Sequence, residues 1–250
     1  MSDEPAVLTT KRGRTAVLEL NRPRRRNALD LQDRRDLIAA LDAAAEDLEV
    51  VSIVLTGAGP MFSAGGDIKS MPTDPEIARV RLRVLTELVN RMVKGPKPII
   101  SAVEGGAFGL GLSLVAATDF VVASREARFA ASFGRLGLVP DTGLFWTLPR
   151  RIGAARAKEL MLLTNDFTAQ EADAMGLVTE LVDAGSALDR ALELAERLAQ
   201  GSPAMYAETK ALCAQPEQDL ASVLESEAEA QVRMLATDFF SEAQEKFFKR

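Results

Sequence analysis

Apolar and polar residues alternate in short blocks along the first half of the chain and give way to helix-like segments after Leu138. Two β-like runs, residues 6–10 and 15–20, flank the turn-prone Arg12-Gly13-Arg14, and this order predicts a hairpin. Beyond it, buried-strand candidates are separated by helix-like segments, which indicates βα units with parallel strand pairing. The further strands are predicted at residues 50–55, 98–103 and 120–123, and the helices at residues 29–48, at about 74–93 and in the segment that ends near Ala117.

Helix-like segments dominate the second half, and one strand-like run, residues 176–182, interrupts them. The C-terminal helices carry more apolar positions than the preceding core needs, which favours an oligomerisation region. Residues 183–186 are the best linker candidate, so we expect an α/β core at residues 1–185 and a helical C-terminal region at residues 186–250. The predicted helices are residues 142–148, 154–163, 168–175, 186–200, 203–213 and 218–234.

Composition limits the chemistry more sharply than it limits the fold. Of 250 residues, 47% are apolar and 26% charged, as in a soluble globular protein, and the net charge of -6 gives no indication of nucleic-acid binding. The absence of histidine excludes a Ser-His-Asp or Cys-His nucleophilic site, an imidazole base and any histidine-containing metal site. A single cysteine, Cys213, excludes an internal disulfide and suits a reducing compartment, and its place at the end of a helix-like run favours a buried, space-filling role.

The N-terminal sequence MSDEPAVLTT lacks the positive and apolar regions of a signal peptide. No apolar stretch approaches the ~18 residues that a membrane span needs. We therefore expect a cytoplasmic protein that has neither nucleic acid nor a membrane as its partner.

Two glycine-rich turns, residues 57–66 and 104–111, each follow a predicted strand and precede helix-like sequence. Such turns leave backbone N–H groups unpaired, which favours anion binding. Neither turn matches the dinucleotide-binding fingerprint, and no phosphate-loop G-K-[ST] occurs. The glycines alone are also typical of tight turns and close helix packing. Because neighbouring parallel strands end at the same edge of a sheet, one N–H from each turn can converge on a single oxygen, as in an oxyanion hole.

Further motifs follow one another in a fixed order over nearly the whole chain. They are Asn21-Arg22-Pro23 with Asn27-Ala28-Leu29, Phe62-Ser63-Ala64-Gly65-Gly66-Asp67-Ile68-Lys69, Lys97-Pro98-Ile99-Ile100-Ser101-Ala102-Val103-Glu104-Gly105, Thr118-Asp119, Gly137-Leu138-Val139-Pro140-Asp141, Leu148-Pro149-Arg150, Thr168-Ala169-Gln170-Glu171-Ala172, Gly176-Leu177-Val178, and Phe247 with Arg250. In this combination the sequence resembles the crotonase superfamily, the enoyl-CoA hydratase/isomerase family.

The resemblance implies an α/β fold, a crotonase-like spiral of ββα units, with a helical C-terminal region that forms a homotrimer or a dimer of trimers. It also implies an acyl-CoA thioester substrate, with coenzyme A as part of the substrate and with no separate cofactor or metal. The backbone N–H groups of Gly66 and Leu110 would form the oxyanion hole for a thioester enolate. The implied substrate-binding positions are Arg24, Ala28, Ala64, Ile68, Lys69, Phe133, Phe247 and Arg250.

Two of the polar positions have ordinary structural explanations as well. Arg24, Arg25 and Arg26 offer cations for the phosphates of coenzyme A, but a solvated basic loop has the same sequence pattern. Asp67 is also suited to be the N-cap of a short helix that runs to Met71.

The sequence departs from the family pattern where the family's hydratases carry two catalytic glutamates. The corresponding residues here are Ser113 and Phe133, and neither side chain is a base for water addition. Asp141 occupies the position at which family isomerases carry a catalytic carboxylate. Its alternative role is the N-cap of a helix that begins at Thr142, and the apolar Phe133 nearby would exclude water from proton transfer.

These observations favour an acyl-CoA double-bond isomerase in which Asp141 moves a proton between two carbons of the acyl chain. Hydration with a substitute base, decarboxylation and thioester hydrolysis remain alternative reactions of the same enolate site. A non-catalytic acyl-CoA-binding oligomer is the alternative from another functional class.

Overall fold

The computed structural model describes residues 4–216 and 218–249. The chain opens with the predicted hairpin, in which β1 (Val7–Arg12) and β2 (Thr15–Leu20) pair antiparallel. The further strands are β3 (Ser52–Gly57), β4 (Ile99–Val103), β5 (Gly106–Phe108), β6 (Phe120–Ser124), β7 (Arg128–Ala130), β8 (Phe167–Thr168) and β9 (Glu180–Val182). The helices are α1 (Leu31–Glu46), α2 (Pro75–Lys94), α3 (Leu110–Ala117), α4 (Leu144–Ile152), α5 (Ala154–Leu163), α6 (Ala169–Ala174), α7 (Ala187–Leu198), α8 (Pro203–Cys213), α9 (Leu220–Leu235) and α10 (Asp238–Phe248).

A six-stranded sheet with the order β1-β2-β3-β4-β6-β9 forms the centre of the molecule. After the hairpin, every neighbouring pair in this sheet is parallel, which confirms the pairing expected from the alternation of strands and helices. Strand β4 is buried along its whole length, and its continuous apolar sequence suits a strand covered on both faces. As a result, β3 and β4 end side by side, with the two glycine-rich turns beyond their carboxyl ends.

Three short strands form a second sheet, in the order β5-β7-β8. From β4 the chain passes into β5 and then α3, and from β6 it passes into β7 before the helices that follow. Ser63, downstream of β3, makes an isolated parallel bridge to Ala107 in β5, so this turn of the chain follows the same path. The result is the spiral of ββα units that the family resemblance implied.

Helix α7 covers the face of the large sheet opposite the main core. Its fully buried Ala187, Ala191 and Ala195 pack against apolar side chains of β2, β3, β4 and β6. This helix begins at Ala187, just after the boundary expected at residue 185, and it packs directly on the sheet. The division of the chain into residues 1–185 and 186–250 stays a prediction.

The last helices, α8 to α10, confirm the expected helical C-terminal part. Helix α10 extends beyond the predicted elements, and its Phe239, Phe240, Phe247 and Phe248 are exposed in the single chain. Cys213 is exposed at the end of α8, so the expectation of a buried, space-filling cysteine was wrong. Within residues 4–216 and 218–249, no helix combines the length and the apolar character needed to traverse a bilayer.

Candidate active site

Gly66 and Leu110, one from each of the two glycine-rich turns, line a common cavity. Leu110 is the first residue of α3, and neither N–H donates to a backbone or side-chain acceptor among the described residues. The two turns are in close contact, because a Cβ built on Gly65 would lie 3.4 Å from the backbone nitrogen of Leu110. The two turns thus meet beside the cavity, and an oxyanion hole formed by the Gly66 and Leu110 N–H groups stays a prediction.

Backbone hydrogen bonds tie these two turns to each other and to the start of α1. Phe108 N–H donates to the carbonyl of Ser63 (3.0 Å), and Ser63 N–H donates to the carbonyl of Gly106 (3.2 Å). On the other side, Leu29 N–H donates to the carbonyl of Gly65 (2.8 Å). The position of the Gly66 donor relative to the Leu110 donor is therefore set by main-chain bonds.

The cavity has a volume of about 70 Å³ and a largely apolar wall. Six of the residues predicted from the sequence lie on this wall: Ala64, Gly66, Ile68, Leu110, Phe133 and Asp141. Seven others were not predicted: Arg34, Met71, Leu85, Gly109, Ser132, Leu136 and Leu138. Asp141 is the only carboxylate that this described wall contains.

Asp141 does not cap a helix. Helix α4 begins at Leu144, two residues later than predicted, and its N-cap position is held by Gly143 with no side-chain capping bond. The carboxylate instead accepts a hydrogen bond from the Thr142 hydroxyl (2.7 Å). Thr142 has a φ of 54° and Gly143 a φ of 71°, left-handed conformations that displace the helix start from the carboxylate. The alternative in which Asp141 only caps its helix was therefore wrong.

Burial raises the pKa of Asp141 above its ordinary value, although the Thr142 hydrogen bond and the charge of Arg34 act in the opposite direction. A carboxylate with a raised pKa is a stronger base once it is ionised. The aspartate therefore combines a place on the cavity wall with a pKa raised by burial.

Ser113 and Phe133, at the positions of the hydratase glutamates, have different surroundings. Ser113 is fully buried, and its hydroxyl donates to the backbone carbonyls of Asp141 (3.3 Å) and Gly109 (3.4 Å). Phe133 presents an almost fully buried aromatic side chain to the cavity. The serine thus fastens the Asp141 segment to α3, and the phenylalanine makes the wall apolar.

Arg34 brings a second charge to the cavity wall, and no sequence motif indicated it. The start of its helix is fixed by a capping box, in which Asp30 accepts from Asp33 N–H (3.0 Å) and the Asp33 carboxylate accepts from Asp30 N–H (2.8 Å). Arg34 lies one turn further on, in the same helical stripe as the buried Leu37 and Leu41. A charged residue within an apolar stripe was the signal that could have revealed it.

The guanidinium of Arg34 is buried with few partners. Arg34 as a whole is only 3% exposed. Its Nη2 donates to the carbonyl of Leu29 (3.2 Å), and its Nε has no hydrogen-bond acceptor among the described residues. Burial, together with the nearby positive charge of Arg81, lowers the pKa of Arg34 to about 10. It therefore remains a cation at neutral pH.

Comparison with known proteins assigns the chain to a family. Residues 10–250 match the family model described as enoyl-CoA hydratase/isomerase. The chain belongs to this family. Its enoyl-CoA hydratase/isomerase fold agrees with a solved enoyl-CoA hydratase from Polaromonas sp. JS666, at a TM-score of 0.93 and 35% identity over 97% of this chain and 96% of that one.

Curated relatives within the enoyl-CoA hydratase/isomerase family carry out more than one reaction. The 1,2-epoxyphenylacetyl-CoA isomerase of Escherichia coli (strain K12) is 39% identical over 73% of this chain and 72% of its own length. The 2,3-dehydroadipyl-CoA hydratase of the same organism is 34% identical over 93% of this chain and 91% of its own length. Crotonase-superfamily membership and acyl-CoA chemistry are thus established, and the choice between isomerase and hydratase is a separate question.

Several positions implied by the family resemblance lie away from the described cavity wall. Arg24 and Lys69 are exposed, Ala28 is half-buried, and Phe247 is 75% exposed on α10. Arg250 lies outside the described residues. Their contact with coenzyme A stays a prediction.

The basic loop is partly used to hold the structure together. Arg25 forms ion pairs with Asp30 (3.2 Å) and with Asp33, whereas Arg24 and Arg26 are exposed. Asp67 accepts a hydrogen bond from Lys69 N–H (3.2 Å) as the N-cap of the short helix Ile68–Ser70, as its alternative role predicted. Arg24 and Arg26 therefore remain exposed, and phosphate binding by this loop stays a prediction.

Proposed function

We propose that this member of the enoyl-CoA hydratase/isomerase family is an acyl-CoA double-bond isomerase. The observation that carries the proposal is the placement of one carboxylate, Asp141, on the same cavity wall as the unpaired N–H groups of Gly66 and Leu110. An isomerase needs one group that removes a proton and returns it, together with donors for the charge that develops on the thioester oxygen.

In the proposed reaction, the thioester carbonyl oxygen accepts hydrogen bonds from Gly66 and Leu110. Ionised Asp141 removes a proton from a carbon of the unsaturated acyl chain, and the electron pair of the broken C–H bond moves into a dienolate whose charge rests on that oxygen. Protonated Asp141 then returns the same proton to another carbon of the chain, which leaves the double bond shifted. Each oxyanion donor typically contributes about 10²- to 10³-fold in rate.

The reaction uses no cofactor beyond the coenzyme A of the substrate itself. Proton return to carbon competes with water addition, and the apolar side chain of Phe133 supports the former because it limits water in the cavity. Ser113, whose hydroxyl is engaged by two backbone carbonyls, offers no base for water activation. Both features favour isomerisation over hydration.

The apolar residues exposed on α9 and α10 support a homotrimer or a dimer of trimers as the working form. They include Leu220, Leu224, Val232, Phe239, Phe240, Phe247 and Phe248. Sedimentation of the full chain at micromolar concentration tests the assembly, and a species of 26.9 kDa alone would remove it.

A panel of unsaturated acyl-CoA thioesters of different chain length, scored for bond migration and for water addition, tests the activity. We expect bond migration by the parent protein and a loss of about 10²- to 10⁴-fold in the Asp141→Asn variant. Binding of a saturated acyl-CoA should survive the change, since the amide occupies the same space.

The Asp183→Asn variant is the matched control. The Asp183 side chain is 92% exposed, so this substitution makes the same change of charge at the surface. Isomerisation by Asp141→Asn at the parent rate would refute the mechanism. Water addition without bond migration in the parent would favour the hydratase alternative, and binding without either reaction would favour a non-catalytic protein.

A further inference from the structure

The burial of Arg34 calls for an explanation, because a cation away from water is costly unless it is paired. Its nearest carboxylate in sequence, Asp33, is engaged by Arg22 (3.2 Å) and by Arg25. Asp141, on the same cavity wall, is hydrogen bonded to Thr142 and forms no ion pair with Arg34. Among residues 4–216 and 218–249, Arg34 therefore has no carboxylate partner of its own.

A second buried arginine increases the positive charge behind this wall. Arg81, on α2, donates to the backbone carbonyl and to the hydroxyl (3.3 Å) of Ser70, and its charge acts on Arg34. The negative charges of Asp141, Asp30 and Asp33 act on Arg34 in the opposite direction. None of these carboxylates forms an ion pair with Arg34, so an anion in the cavity could become its direct partner.

Arg34 keeps an unsatisfied donor within a residue that lines the cavity. Arg34 lines the cavity, and its Nε is the atom without an acceptor, while Nη2 is held by the carbonyl of Leu29. A guanidinium presents its N–H donors in one plane, which matches the two oxygens of a carboxylate. A carboxylate is therefore a chemically suitable partner for the Arg34 side chain.

The position of Arg34 also limits where on the substrate that anion can be. Nη2 lies 3.1 Å from the point where a Cβ on Gly66 would be, so the guanidinium is a neighbour of the proposed thioester site. A cavity of about 70 Å³ leaves little room between the two. An acidic group that reaches Arg34 must be separated from the thioester carbonyl by only a few carbons.

We propose that Arg34 binds a free carboxylate on the acyl group, so that the protein selects short acyl-CoA thioesters of dicarboxylic acids. This inference rests on the proposed function only for the assignment of the cavity to the acyl group, and it does not depend on which carbon Asp141 protonates. A role limited to holding the start of α1 would use the bond to Leu29 and would leave substrate choice unchanged.

Binding of unreactive, saturated thioesters to the full-length protein tests the proposal by calorimetry. Succinyl-CoA is compared with butyryl-CoA, and glutaryl-CoA with pentanoyl-CoA, since each pair has equal chain length and differs in the terminal carboxylate. A charge-assisted hydrogen bond predicts that the parent binds the carboxylated member of at least one pair about 10- to 100-fold more tightly.

The Arg34→Met variant should lose this preference and keep its affinity for the uncharged thioesters. Arg35→Met is the matched control, because Arg35 is the exposed neighbour on the same helix. Arg34→Lys keeps the charge without the planar donor pair, and it should retain part of the preference even if the methionine variant is unstable.

Equal affinity of the parent for both members of both pairs would overturn the proposal, as would a preference that survives in Arg34→Met. Because none of these ligands reacts, the result is independent of the isomerase assay on Asp141→Asn. A protein that prefers dicarboxylic thioesters and yet moves no double bond would refute the proposed function and leave this inference standing.

Discussion

The replacement of Gly65 by alanine tests whether the spacing of the two N–H donors matters for the reaction. Gly65 has a φ of 106°, and an added Cβ would lie 2.6 Å from the carbonyl oxygen of Phe108, roughly 0.8 Å inside ordinary contact. Both polar groups of its backbone are engaged, N–H by the Ser63 hydroxyl (3.1 Å) and the carbonyl by Leu29 (2.8 Å). Relief of the clash must therefore move the turns that carry Gly66 and Leu110 apart.

A misplacement of about 1 Å at a reacting centre costs on the order of 10²-fold in rate. We therefore expect kcat of Gly65→Ala to fall about 10²-fold in the isomerase assay. The left-handed φ adds about 1–3 kcal/mol of strain, which lowers Tm by roughly 2–12 °C for a chain of this size.

The control is Gly13→Ala, in the hairpin turn, where φ is 57° and an added Cβ meets nothing within 4 Å. It carries a comparable backbone strain at a distance from the cavity, so its Tm should fall while kcat stays within about threefold of the parent. If a folded Gly65→Ala protein also kept kcat within about threefold, the donor spacing would not limit the rate and the reasoning would be refuted.

Three further predictions concern the aspartate and its supports. Thr142→Val removes a hydroxyl donor that lowers the pKa of Asp141, so the acid limb of the pH–rate profile should move to higher pH. Thr142→Ser keeps the hydroxyl and should leave the limb in place. An unmoved limb in the valine variant would assign the titration to another group. Because the pKa of Asp141 is raised in the folded state, its ionisation lowers the stability of the protein at neutral pH, and this loss disappears as pH falls towards the ordinary pKa of about 4. Asp141→Asn should therefore have a higher Tm than the parent near pH 7 and lose that advantage in acid. A lower Tm of the variant near pH 7 would contradict the burial argument. Ser113→Ala removes the hydroxyl that donates to the Asp141 carbonyl, which should lower the free energy of unfolding by about 1 kcal/mol and Tm by roughly 2–4 °C. It should also lower kcat more than it changes KM. An unchanged kcat would show that this hydrogen bond does not position the base.

The sequence predicted the large sheet well because its strands are encoded locally. The apolar runs that became β3 and β4 are five or six residues long and end in glycine-rich turns, so their type and their parallel order could be inferred. The strands of the small sheet, β5, β7 and β8, have only three, three and two residues, too few to show a period. Their strand conformation depends on pairing between distant segments.

The candidate site divides in the same way between local and tertiary causes. Gly66, Leu110 and Asp141 could be placed from motifs, whereas the failure of Asp141 to cap α4 depends on the left-handed Thr142 and Gly143, which no local propensity required. The position of Arg34 follows from packing of α1 against the turn at Gly66, a contact across more than thirty positions of sequence. Charge within an apolar stripe marks such residues, but only the fold shows what they face.

The main-chain bonds between the Ser63 and Phe108 segments have a consequence for how this family can diversify. The groups assigned to the enolate oxygen are peptide N–H groups, and the hydrogen bonds between the two turns join peptide N–H donors to peptide carbonyl acceptors. Side chains at 113, 133 and 141 can therefore be exchanged without altering the electrophile-binding frame, provided that they fit. Related chains can therefore keep the backbone donors for the thioester oxygen and still catalyse different reactions. Overall sequence similarity preserves these donors, whereas a few side-chain substitutions can change the product.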